Sequence, residues 1–161
     1  KPLSVAMAVS KGDRKILDFK VSVMPATGHL ARISRKKYGP RRDDRITGLK
    51  TLFERLQSTL NHEIEIGSDE CAYYRPIVKR YFPRASYNQF KGKKSSISGQ
   101  GELKKIAKDP LFSINHTFAM LRANINRLIR KTWCTTKKIP RLIDHLSIYV
   151  WVHNAKLTAT S

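Results

Sequence analysis

Hydrophobic and polar positions follow two periods along the chain. Leu3–Val9, LSVAMAV, is a near-continuous apolar run of strand length, and Lys15–Val23 alternates in part and carries β-branched residues. Between them Ser10–Asp13, SKGD, is a turn cluster, so the two runs predict a β-hairpin, ended by Pro25 and Gly28. From Asp43 to Leu60 the period lengthens: Ile46, Leu49, Leu52, Phe53, Leu56 and Leu60 recur at helical spacing. Glu63–Gly67 then predicts a short strand with Ile64 and Ile66 on one face. Cys71–Phe82 predicts a short helix kinked near Pro76, and Arg84–Phe90 a further strand.

The remaining pattern is interrupted by polar stretches. Residues 29–42 are basic and turn-rich, and Lys91–Gly101, KGKKSSISGQG, is expected to be a mobile basic loop. A short helical piece, Glu102–Lys108, precedes Pro110. A long helix is expected over Ile114–Lys131 and a last one over Ile139–Leu157, with Pro140 in the first turn, where proline is tolerated. The order is β-β-α-β-α-β-α-α without internal repeats, and residues 1–161 read as one domain. By analogy, a hairpin, a helix, a strand ending in Asp and a helix carrying a polar pair have the layout of an RNase H-like nuclease fold. That fold starts with one strand before the hairpin.

Charge changes the picture more than composition does. The chain has 32 Lys and Arg against 12 Asp and Glu, a formal charge of +20. Such an excess points to a polyanionic partner, above all nucleic acid. No apolar run is long enough to span a bilayer, so a membrane partner is not expected. Cys71 and Cys134 stand apart without metal-ligand spacing and read as free thiols in a reducing cytosol. Trp133 and Trp151 are expected to anchor the core.

Two places could carry chemistry. Asp69 follows the strand EIEIG, where a strand end delivers a side chain to an open cleft. A carboxylate there suits a hard divalent ion, and equally it suits a cap for the helix starting around Cys71. On the long helix, Ile114, Phe118, Leu121, Ile125 and Leu128 form one apolar stripe. Asn115 and Arg122, seven residues apart, flank it on nearly one azimuth, with Asn126 further along. Arg127, Arg130 and Lys131 point further round. Helix-start and solvated-face readings of these polar residues stay open. His116 reads as a hydrogen-bonded structural residue, and Asp13 and Asp18 as structural or solvated.

The stretch INHTFAMLRANINRLIRKTWCTTK (Ile114–Lys137), followed by LSIYVWVHN (Leu146–Asn154), resembles the C-terminal end of bacterial insertion-sequence transposases. These belong to the DDE superfamily, in its ISXO-like branch. KPLSVAMAVSKGDRKILDFKVSVMPATG and IGSDECAYYRPIVKRYFP resemble the same family, in the same order, so the likeness spans the chain. It implies an RNase H-like α/β fold, a mixed sheet with flanking helices, and DNA strand cleavage and strand transfer by bound Mg²⁺ (or Mn²⁺). It places the second acidic ligand on Asp69 and the third position, usually Glu, on Asn115, as in an Asn-bearing subgroup of the branch. Arg122 falls where a basic residue contacts DNA phosphate; Arg127, Arg130 and Lys131, further round, are expected to be additional DNA-binding residues. The family's first Asp lies on a strand before LSVAMAV, so the chain is expected to be the C-terminal catalytic part, lacking its first strand. The implied partners are transposon ends, target DNA and further copies of the enzyme, in a nucleoid-associated, cytoplasmic bacterial setting. The alternative from charge alone is a non-enzymatic nucleic-acid-binding protein, such as a ribosome-associated factor.

Overall fold

The computed structural model describes residues 3–28, 31–91, 109–128 and 138–159. The expected hairpin is present. Strand β1 (Leu3–Val9) pairs antiparallel with β2 (Ile16–Val23), with a register shift between Ala8 and Val9. Helix α1 (Ala31–Tyr38) occupies a region expected to be turns. It buries none of its residues, which is why no apolar stripe announced it. It stops at Gly39, whose φ of 74° only glycine adopts freely and whose N–H caps the Arg35 carbonyl at 2.9 Å.

Helix α2 (Arg45–Thr59) turns Leu49, Leu52, Phe53 and Leu56 inward, as its period requires. Strand β3 (Glu65–Asp69) begins two residues later than expected, so Asp69 is its last residue rather than a residue beyond it. Helix α3 (Tyr74–Tyr81) then leads to β4 (Ser86–Phe90), which pairs parallel with β3. Pro76 does not kink α3. It sits in the first turn, where its missing N–H would have had no intrahelical acceptor.

Helix α4 (Phe112–Asn124) is shorter than its pattern suggested. Ile125 is extended, at φ −116° and ψ 92°, and a short 3-10 helix, Asn126–Leu128, follows. Apolar spacing continues through both, because Ile125 and Leu128 still pack on the core although the α-helical hydrogen bonding has ended. Helix α5 (Ile139–Ala159) runs close to the expected span. The loop expected over Lys91–Gly101 falls, after Lys91, outside the described residues, as do Glu102–Lys108, Trp133 and Cys134.

The core divides into two clusters. One joins α2 and α3 through Leu52, Phe53, Ile77, Val78 and Phe82. The other joins the hairpin to α4 and α5 through Met7, Ile16, Val21, Leu121, Leu142 and Leu146. Strand β1 lies between them: Ala6 and Ala8 pack on the first, and Leu3, Val5, Met7 and Val9 on the second. The chain is thus a mixed α/β structure with helices on both sides of its strands. The expected single mixed sheet is, among the described residues, two separate two-stranded sheets, so β1 and β3 each have only one ladder partner.

Trp151 is not a core anchor: it is 73% exposed. Leu142 and Leu146 set the inward face of α5, and at about 100° per residue Trp151 falls roughly 140° from Leu146. No helix among the described residues is long and apolar enough to cross a membrane.

Candidate active site

Asp69 ends β3 with its side chain exposed. Its Oδ1 accepts the Cys71 N–H at 3.1 Å, which shapes the turn out of the strand. It does not cap α3, which starts later, after Tyr73, without a side-chain cap. The Gln89 amide bridges the same turn, donating to the Asp69 and Cys71 carbonyls at 3.3 and 3.4 Å. Beside it, burial pushes the Tyr74 phenol up to about 12, and the Asp69 carboxylate adds to that rise.

Asn115 lies in the first turn of α4 and is exposed. Its amide nitrogen donates to Asp109 Oδ2 at 2.9 Å, while Asp109 Oδ1 accepts the Leu111 N–H at 2.9 Å. Asp109 therefore anchors the start of α4, where a carboxylate also suits the helix dipole. Sequence reasoning passed over Asp109, although an Asp before Pro110 at a helix start is a recognised signal. With its nitrogen directed at Asp109, the atom Asn115 offers a cation is its amide oxygen.

The two residues come from adjoining elements. A Cβ added at Gly67 would sit 3.7 Å from Leu111 Cδ2, so the start of α4 lies over β3 two residues from Asp69. The hydrogen bonds described for Asp69 and Asn115 run to other partners, Cys71 and Asp109, and not to each other. Arg122 is in the last turn of α4, half-buried, on the side of the helix end where a cation is favoured. Arg127 falls in the 3-10 helix, its side chain outside the described residues, as are Arg130 and Lys131.

The other acids are engaged structurally. Asp18 takes a two-pronged bond from Arg55, at 2.7 and 3.0 Å, tying β2 to α2. Asp13 accepts the Lys15 N–H at 3.1 Å, and its bond with the Ser10 hydroxyl is the first cause holding its carboxyl below the usual range. His116 faces Arg14, Nδ1 to Nη1, at 3.4 Å. Among the described residues, no group of three or more His, Cys, Asp or Glu side chains is placed to hold a metal ion. Of the expected ligands, Asp69 offers a carboxylate and Asn115 an amide oxygen, and these two alone do not make a complete two-ion centre. No protein-family model matches the chain, and neither a curated protein nor a solved structure matches it.

Proposed function

We propose that the chain acts on DNA as a catalytic domain of a DDE-type insertion-sequence transposase of the ISXO-like branch. The observation that carries the reading is the placement of Asp69 and Asn115. Asp69 ends β3, Asn115 lies in the first turn of α4, and Leu111, just before that helix, packs beside Gly67 of β3, in a chain of charge +20. The element order supports it too. An RNase H-like sheet puts one strand between the counterparts of β1 and β3, and here each of these, like β2 and β4, has a single partner among the described residues.

In this reading the chain's own residues bind and orient. Arg122 and the basic residues after it hold phosphate, while Asp69 and Asn115 direct two oxygens at one divalent cation. That cation, Mg²⁺ or Mn²⁺, supplies Lewis-acid stabilisation of phosphoryl transfer when bound. Those two donors fall short of a complete centre, which needs at least one further acidic ligand.

The test is strand cleavage by the intact enzyme in Mg²⁺. Asp69→Ala is expected to abolish cleavage and leave DNA binding in place. Wild-type cleavage rates in that variant would remove Asp69 from the site. The second reading, a non-enzymatic nucleic-acid-binding protein, is favoured by one observation: both polar side chains already serve local structure. It expects salt-dependent binding, no cleavage, and no effect of Asp69→Ala on either.

A further inference from the structure

We propose that Arg14, in the turn joining β1 and β2, grips a phosphodiester phosphate of the nucleic acid at the first turn of α4. The proposal rests on the nucleic-acid reading above and adds a residue to that site. Arg14 is the only non-glycine residue with positive φ among those described, at 61°. For an L-residue that conformation costs about 1–2 kcal/mol, and it persists only where the surroundings enforce it.

The enforcement comes from three sides. The Arg14 N–H donates to the Ser10 carbonyl at 3.1 Å. Its carbonyl accepts from His153 Nε2, on α5, at 3.0 Å. Its guanidinium Nη1 faces Nδ1 of His116, on α4, at 3.4 Å. The turn is fastened to the same helix once more, by the Ser113 hydroxyl donating to the Lys11 carbonyl at 2.7 Å. His116 follows Asn115 directly on α4, so the strained turn holds its arginine against the helix that carries the candidate ligand.

Arg14, like Arg75, which donates to Gln89 Oε1 at 3.1 Å, faces a described side chain that is not a carboxylate. A guanidinium only donates, so in this contact His116 Nδ1 is the acceptor. Arg42, Arg45, Arg55, Arg84 and Arg141 instead face Asp44, Asp43, Asp18, Glu63 and Asp144. The nearest carboxylate in sequence, Asp13, is engaged by the Lys15 N–H and lies 3.5 Å from Lys15 Nζ. Arg14 is therefore half-buried, oriented, and not neutralised by a described carboxylate. A guanidinium so held presents a fork of donors that matches phosphate, and its orientation is fixed before the ligand arrives.

Arg14→Gly and Arg14→Asn separate the proposal from a purely structural role, because both residues accept the left-handed conformation. The readout is binding of the wild-type chain and each variant to a fluorescently labelled DNA duplex over a series of salt concentrations, with thermal melting alongside. Both variants are expected to bind about tenfold more weakly at low salt, as loss of a charge-assisted hydrogen bond implies. The slope of log K against log salt should become shallower by about one, while the melting temperature holds or rises. Arg14→Lys should keep the slope and lose part of the affinity. Arg141→Gln, at a cation already paired with Asp144, should change neither. If the wild type binds and the Arg14 variants keep its slope, or if Arg141→Gln loses as much, Arg14 does not grip phosphate and the nucleic-acid reading stands. If the wild type does not bind DNA, that reading fails and this one with it.

Discussion

Asp69 and Tyr74 make a testable pair. The folded state raises the Tyr74 pKa from 10.0 to about 12, chiefly by burial and next by the Asp69 charge. The folded protein thus keeps the phenolic proton that the unfolded chain releases near pH 10. The resulting stability is complete below that pH and is lost as pH rises toward about 12. Denaturant melts should weaken across that window, and Tyr74→Phe should remove this part of the alkaline loss. Asp69→Asn should lower the Tyr74 midpoint, read by absorbance of the phenolate; an unchanged midpoint would separate the two residues. A second residue-scale prediction concerns Asp109. Asp109→Ala should cost about 1 kcal/mol in chemical denaturation, the usual net worth of a hydrogen bond, and free the Asn115 amide. Asp69 and Asn115 stood out in the sequence, but the bonds that hold them did not. The Cys71 N–H and the Asp109 carboxylate act through turn geometry, which periodicity does not carry.

At the scale of elements, what the pattern foretold depended on how much each element buries. The hairpin, α2 and α5 each present an apolar face to the core and appeared close to their expected bounds. Helix α1 presents none and was missed. Helix α4 was overextended because Ile125 and Leu128 keep packing on the core after the helix has ended. Glycine 48 gives the element-scale prediction. On propensity alone, Gly48→Ala in the first turn of α2 should gain up to about 1 kcal/mol. The structure reverses the sign, because a Cβ there would collide with Ser22 Oγ and lie 3.2 Å from Ser22 Cβ and 3.3 Å from Lys20 Cγ. Overpacking of that kind costs about 1–3 kcal/mol, so Gly48→Ala should lower the urea midpoint. A raised midpoint would mean that α2 and β2 are less closely seated.

At the scale of the whole molecule, the hairpin is packed between the two core clusters, but the strands are incompletely paired. Strand β1 carries apolar contacts to both clusters, as an interior strand does, yet among the described residues it pairs only with β2. An apolar strand with an open edge invites pairing with another chain. The purified chain is therefore expected to melt at modest temperature and to associate as its concentration rises; a cooperative, high-temperature melt of a monomer would contradict this. The sequence carried the charge and the element order that point to DNA. It did not reveal that the strands form two sheets, because pairing depends on which edges meet rather than on any residue's own pattern. The central claim is that Asp69 and Asn115 direct their oxygens at one divalent cation. The most direct measurement replaces that cation with Fe²⁺ in the presence of a DNA duplex and maps backbone cleavage by locally generated hydroxyl radicals. The account predicts cuts beside both Asp69 and Asn115, suppressed by excess Mg²⁺ and by Asp69→Ala. Cuts beside neither residue, or cuts unchanged by Asp69→Ala, would contradict it.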